Sequence, residues 1–266
     1  MKKFSTLICM FIAFQFHAQD SIVNYLDLKG NITKKVKAYS VETLVKKENL
    51  WEHTKYHRSG KIKEKGQYKF KDKSDPVGTF YKFYNDGKMS NYFSFNENSE
   101  LEGAYKKWFQ TRNTSFEGKY SKGNKIGIWK YYHFNGKIAC KQYFNEGKLM
   151  KTVFYDEEGT KIKADLIEFQ EPKFEGEGLK KFYERIKEIH SRISFQVNGL
   201  IYIDLEIDTN GEINMTTSDK IPVELKRRLK IYFKNIKGWS PAIHMNRKIP
   251  YTYTFPLDFF VRFTSR

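Results

Sequence analysis

The hydrophobic and polar positions change their period part-way along the chain. Between about residues 50 and 165, short aromatic runs alternate with Asn, Asp, Gly and Lys, a pattern of brief strands separated by turns. With Gly60, Gly87, Arg112, Gly136 and Gly159 as one column, the spacings are 27, 25, 24 and 23 residues. Four positions before each stands Tyr56, Phe83, Trp108, Tyr132 or Tyr155. Eight positions after the first four stands Tyr68, Phe95, Tyr120 or Phe144. Asp86-Gly87 and Asn135-Gly136 predict hairpin turns, because such dipeptides accept positive φ. Arg112 breaks the glycine column, which predicts a different turn in the third unit. Each unit is too small to bury a core alone. Stacked hairpins therefore predict an extended antiparallel meander with aromatic columns as its spine.

Around Glu171 the repeat stops. Leu179, Phe182, Tyr183, Ile186 and His190 fall three or four apart and predict an amphipathic helix. Ile201, Ile203, Leu205 and Ile207 then alternate with Tyr202, Asp204, Glu206 and Asp208, a half-buried strand with an acidic row on its solvated face. Asn210-Gly211 returns the chain into Ile213 and Met215. A second helix carries Pro222 in its first turn and a stripe of Leu225, Leu229, Tyr232, Phe233 and Ile236, and Gly238 stops it. Tyr251, Tyr253, Phe255, Leu257 and Phe259 alternate with polar residues in a last strand. Pro256 cannot donate to a ladder there, so the strand is an edge. The fold class is mainly β with a C-terminal α+β domain of order α-β-β-α-β, its helices on one face of a small antiparallel sheet.

The first residues read as export signal. Lys2 and Lys3 precede a mainly apolar run from Phe4 to Phe16, and Ala18 offers a cleavage site, although Phe16 departs from the usual small residue. Those 13 residues would make a helix of about 20 Å, short of the ~30 Å hydrocarbon core, so a cleaved leader is expected and not an anchor. No other segment is apolar for long enough to span a bilayer. The expected layout is a signal peptide at 1–18, a lead-in at 19–49, β-repeats at 50–165 and the α+β domain at 166–266.

Charge and cysteine content narrow the function classes. The chain carries a formal net charge of +17, of which residues 166–266 hold only +4. The lysines are spread through every repeat and not gathered around stacking aromatics, so no nucleic-acid partner is expected. Such scattered charge reads as a solvated face, with contact with anionic lipid or glycan as the sharper alternative. Cys9 lies in the leader, leaving Cys140 as the one thiol of the mature chain, without an intrachain disulfide.

Two resemblances follow from these residues. The recurring glycine, aromatic cluster and Asp/Asn-Gly-Lys turn between Trp51 and Lys163 resemble variant MORN repeats, which implies a scaffold or binding surface without catalytic residues. Phe174-Glu-Gly176-Glu-Gly178-Leu179, the Asn210-Gly211 hairpin, Trp239-Ser-Pro241-Ala242 and Tyr253-Thr-Phe255-Pro256 look like the C-terminal domain of TonB. That resemblance implies an envelope protein partner, such as an outer-membrane receptor, gripped by strand addition. The segment that would take the partner is the last strand from Ile249 to Phe260, with Ile249, Tyr251, Tyr253 and Phe255. The long Pro-rich spacer and retained membrane helix of a TonB transducer are missing here.

No cofactor motif or catalytic signature occurs, and no enzyme is expected. His53 and His57 are four apart but fall on a predicted strand, in columns otherwise aromatic, so no metal site is expected. The reading is an exported interaction protein of the bacterial envelope. The alternatives are a TonB-like component of energy transduction, or a carbohydrate- or cell-wall-binding protein using exposed repeat aromatics.

Overall fold

The computed structural model describes residues 20–175, 200–217 and 221–258. The leader, the helix expected over Leu179–His190 with Gly176 and Gly178 before it, and Phe259 and Phe260 lie outside the described residues.

Among the described residues, twelve strands form one antiparallel sheet whose spatial order is the chain order. They are β1 (Ser21–Leu26), β2 (Ser40–Lys47), β3 (Leu50–Tyr56), β4 (Ile62–Tyr68), β5 (Pro76–Phe83) and β6 (Met89–Phe95). The second half comprises β7 (Leu101–Trp108), β8 (Thr114–Ser121), β9 (Asn124–Tyr132), β10 (Ile138–Asn145), β11 (Lys148–Tyr155) and β12 (Lys161–Ile162). The chain is thus mainly β, with a long meander as its larger part. The sheet begins before the aromatic repeat. Residues 21–47, read from sequence as lead-in, supply β1 and β2, and β2 pairs with β3 from Val41↔Tyr56 to Lys47↔Leu50.

The glycine column closes the turns at one end of the sheet, by a different geometry from the tight turn expected. Gly87 N–H donates to the Tyr84 carbonyl at 2.9 Å and Tyr84 N–H to the Lys88 carbonyl at 2.8 Å. Gly87 has φ 91°, whereas Asp86 is not among the residues of positive φ. This is a three-residue loop, a type I turn closed by one left-handed residue. Arg112 does not change the turn. It takes the same left-handed place with φ 76°, and its N–H reaches the Phe109 carbonyl at 2.9 Å. The two-residue turns with both positions left-handed are instead Lys122-Gly123 and Glu146-Gly147, at the other end.

Struts tie each unit to the next at the glycine end. Three positions before the glycine column, His57 Nε2 lies 2.9 Å from the Phe83 carbonyl, the Tyr84 hydroxyl donates to Trp108 at 2.7 Å, and His133 Nε2 lies 2.9 Å from the Tyr155 carbonyl. One position after the column, Lys61, Lys88, Asn113 and Lys137 reach carbonyls of the following turn at 3.3, 3.2, 3.0 and 3.4 Å. These repeat lysines brace turns; they are more than a solvated face.

One face of the sheet carries the ring spine. Tyr68 meets Phe80 at 5.3 Å, Phe80 meets Phe93 at 5.7 Å, Phe93 meets Tyr105 at 5.2 Å and Tyr105 meets Phe116 at 5.2 Å between centroids. Trp129 and Tyr131 continue it and are buried, whereas the predicted columns Tyr56, Phe83, Trp108, Tyr132 and Tyr155 are half-buried.

The C-terminal part contains β13 (Phe169–Gln170), β14 (Lys173–Phe174), β15 (Leu200–Ile207) and β16 (Ile213–Thr216). Then come α1 (Val223–Lys234), β17 (Trp239–Ser240), β18 (Ala242–His244), β19 (Arg247–Ile249) and β20 (Tyr251–Asp258). β15 lies between β16 and β20 in an antiparallel sheet. Leu225, Leu229 and Phe233 of α1 pack with Ile203, Leu205, Ile207, Met215 and Phe255 into one core. Pro222 is the N-cap of α1 and not in its first turn. Trp239 pairs with Phe174 between β17 and β14, their rings 5.3 Å apart, and closes this core. Between Gly238 and the strand from Tyr251 the sequence pattern assigns no element. The chain instead makes the small hairpin β18–β19, closed by Met245 and Asn246, both left-handed.

Candidate functional site

The alternation in β15 and β20 splits their side chains between two faces. Ile203, Leu205, Ile207 and Phe255 point into the α1 core, and Tyr202, Asp204, Glu206, Thr252 and Thr254 share the opposite face. That opposite face was expected to be solvated. It looks across a cleft at the glycine-turn end of the repeat sheet.

Several contacts fix the two layers against each other. Tyr39 and Tyr202 have ring centroids 5.1 Å apart, and the Arg58 guanidinium sits over the Tyr202 ring at 4.8 Å. The Tyr202 hydroxyl donates to the Lys37 carbonyl at 3.0 Å, and the Tyr39 hydroxyl lies 3.4 Å from Thr254 Oγ1, which within its own sheet donates to Asp204 Oδ1 at 2.6 Å. Around these contacts opens a cleft of about 500 Å³, lined by His57, Arg58, Lys63, Asp204, Glu206 and Thr252 among others. Burial pushes the Lys63 ammonium and the His57 imidazole below their usual ranges. It pushes the Glu206 carboxyl up, with Asp208 adding to the effect.

A second cleft of about 660 Å³ adjoins the first through Tyr84, Gln110, Glu206, Asn214 and Thr252. The hairpin β18–β19 forms part of its wall. Arg247, only 1% exposed, donates from Nη2 to the Ser115 carbonyl at 3.1 Å and to Ser115 Oγ at 3.0 Å. From Nη1 it donates to the His244 carbonyl at 3.1 Å, and its guanidinium lies over Tyr131 at 5.3 Å. Burial lowers the Arg247 pKa to about 10, partly offset by Tyr131 and Cys140. The neighbouring His244 is held to about 3 by burial and then by the positive charges of Arg247, Lys107 and Lys125. This imidazole is neutral at physiological pH.

The four residues expected to receive a partner strand do not lie on one strand. Ile249 ends β19, paired with Ala242, and lines the second cleft. Pro250 separates it from Tyr251, Tyr253 and Phe255 on β20. Phe255 is buried in the core, the Tyr253 ring lies 6.0 Å from Trp239, and the Tyr251 ring lies 6.0 Å from Phe169. The side chains of Tyr253 and Phe255 belong to the α1 core, and Tyr251 lines the second cleft. What β20 can offer a partner is its backbone edge, since β15 is its one partner strand among the described residues.

His53 and His57 do not converge. His57 is the strut to Phe83, whereas His53 is buried with Nε2 3.1 Å from Glu42 Oε2. Lys73 Nζ holds both Glu42 oxygens at 2.8 and 2.9 Å, and Asn24 Nδ2 donates to Oε1 at 3.1 Å. Burial raises the Glu42 carboxyl, but the bonds from His53, Lys73 and Asn24 outweigh it and hold the pKa at about 2. Among the described residues, no three His, Cys, Asp or Glu side chains gather as a metal site. No described helix is long and apolar enough to cross a membrane.

Sequence reasoning did not single out Lys107, Arg247 or Ser115. The buried arginine had no distinguishing signal, because it stands beside Lys248 in a short turn segment after Trp239. The sequence matches no protein-family model and no curated protein.

Proposed function

We propose that this chain is an exported, non-enzymatic interaction protein of the bacterial envelope, which holds an extended segment of a protein partner along β20. The observation that carries the reading is the edge position of β20 among the described residues, an eight-residue strand whose partner strand there is β15. An unpaired row of backbone N–H and C=O groups is a template for strand addition. Pro256 and the exposed Thr252 lie on that strand and present no large apolar side chain to water. The hairpin β15–β16, the helix α1 and a last strand returning beside β15 support the resemblance to a TonB C-terminal domain. The repeat sheet, cross-braced from turn to turn, supports a rigid scaffold that carries this domain.

A photo-crosslinking amino acid placed at Thr252 or Pro256 tests the reading, with Lys151 on the repeat sheet as control. Expressed in a bacterial envelope, the two β20 positions are expected to capture one membrane or periplasmic protein through a single linear stretch of its chain. Capture equal to that at Lys151, or crosslinks scattered over a folded surface, sinks strand addition.

The half-buried rings favour a second use. Tyr81, 39% exposed, lies opposite Tyr92 on the face away from the ring spine, and Lys106 and Lys141 sit over Trp108 and Tyr155 at 5.6 and 5.5 Å. Such a surface suits glycan contact, and binding to purified peptidoglycan or polysaccharide checks it.

A further inference from the structure

The second cleft concentrates positive charge at its base. Lys107 on β7 faces Arg247 on β19, and no ion pair holds either side chain among the described residues. The charges that act on Lys107 are those of Arg247 and Lys82, both positive. Burial, then these like charges, push its ammonium below the usual lysine range. Arg247 Nε is buried and lacks a hydrogen-bond partner, although the rest of the guanidinium is engaged.

Other charged groups around the cleft do not neutralise this pair. Lys88 is matched by Asp86 at 3.1 Å and also donates to the Gln110 carbonyl. Glu206 stands on the far wall, raised by its own burial and by Asp208, with no cation drawing it down. His244 is neutral. A half-buried ammonium beside a buried guanidinium, with no counter-charge among the described residues, is costly, since a charge withdrawn from water ordinarily carries a partner. The same cleft is walled by Phe109, Phe116, Phe134, Phe169 and Tyr251. Concave, largely aromatic walls around a few convergent polar groups are the usual form of a small-molecule site.

We propose that this cleft binds a small organic carboxylate, with the carboxylate at Lys107 beside Arg247 and the apolar body against Phe109, Phe134 and Tyr251. The carboxylate supplies the missing negative charge and an acceptor for Lys107. The rings explain why an organic acid fits better than an inorganic anion. The site uses the Tyr251 ring of β20 and not the backbone edge of that strand, so benzoate binding tests it separately from strand addition.

Calorimetric titration of the full chain with benzoate tests it, alongside benzyl alcohol and inorganic sulfate. Saturable benzoate binding is expected, with the uncharged alcohol and the ring-less sulfate each weaker by at least about tenfold, the scale of one charge-assisted hydrogen bond. Lys107→Met is expected to weaken benzoate about tenfold or more, and Lys107→Arg to retain most of the affinity. Thr111→Glu, at the exposed rim, keeps the test open if Lys107→Met does not fold, because a like charge at the mouth should also weaken binding. Absence of saturable benzoate binding overturns the proposal. So does sulfate binding as tightly as benzoate, or benzoate affinity unmoved by both the lysine and the rim substitutions.

Discussion

The Tyr84 hydroxyl donates to the Trp108 carbonyl at 2.7 Å, joining two repeat units across 24 residues of chain. His57 and His133 do the same with ring nitrogens. One column thus alternates residue types while preserving one job: satisfying a backbone carbonyl of the next unit. In the third unit Phe109 cannot donate and packs on Phe134 instead, centroids 5.2 Å apart. Removing the hydroxyl leaves the Trp108 carbonyl without this donor. Tyr84→Phe is expected to cost about 1 kcal/mol of stability, the net worth of one such bond, measured by urea unfolding.

How far the fold was legible follows from the same column. Periodic spacing and alternation are local, so the meander, the hairpin β15–β16, the helix α1 and the edge character of β20 could all be read from the chain. Contacts between layers are not local. Tyr202, Asp204 and Glu206 alternate with apolar residues as they would on a solvated face, and nothing in their spacing reveals that the repeat sheet lies opposite. Glu42 and His53 meet because β2 and β3 pair with Leu44 opposite His53, a register no composition shows. The candidate site was legible only as a strand. Its cleft, with Lys107 and Arg247, required the packing of the hairpin β18–β19 on β8.

Glycine has a steric use inside the spine. A Cβ on Gly118 would stand 2.2 Å from Trp129 Cδ2, and one on Gly66 would stand 2.2 Å from a Phe80 ring carbon. Neither glycine has positive φ, so the need is space for a ring and not backbone freedom. Gly118→Ala must displace Trp129, which is 2% exposed and held by its indole N–H to the Lys119 carbonyl at 3.1 Å. Overpacking of this kind costs about 1–3 kcal/mol. The loss should appear in chemical denaturation together with a shift in tryptophan fluorescence. A variant as stable as the parent would mean the sheet bends there freely.

Arg112 holds a left-handed conformation that an L-residue adopts at a cost of about 1–2 kcal/mol. Its side chain is exposed. Arg112→Gly restores the residue found at the other turns of this column and is expected to stabilise the chain by about 0.5–1 kcal/mol, after the greater freedom glycine gives the unfolded chain. A rise in the thermal midpoint checks it.

Glu42 makes stability depend on acid. Its carboxyl is held at about 2 in the fold, against an ordinary value of 4.5. A depressed carboxylate contributes fully above its unfolded pKa, and the contribution fades as pH falls from 4.5 toward 2. Glu42→Gln removes that dependence and leaves Lys73 without its carboxylate. The variant should be less stable by about 1–3 kcal/mol near neutrality. Its deficit should shrink as pH falls toward 2 and vanish only below that, where the Glu42 carboxyl is protonated in the folded chain as well. Unfolding curves recorded between neutrality and acid give the result. A deficit constant with pH would remove Glu42 as the source.

Arg247 ties two regions separated by 132 residues of chain, because its Nη2 serves both oxygens of Ser115. Truncation to alanine removes the donors for Ser115 and for the His244 carbonyl, and opens space beneath the Tyr131 ring. Losing buried, charge-assisted bonds costs about 2–4 kcal/mol, and the cost falls on the packing between the layers and not on either core. Arg247→Ala should therefore expose the second cleft first. Amide exchange is expected to quicken in β8 and in the hairpin β18–β19, while α1 and β15 keep their protection. Arg247→Lys should recover only part of the loss, since one ammonium cannot match a planar fork that reaches Ser115 and His244 together. Equal exchange in all four segments would show that the arginine supports the whole fold uniformly, and would deny the layer contact its separate role.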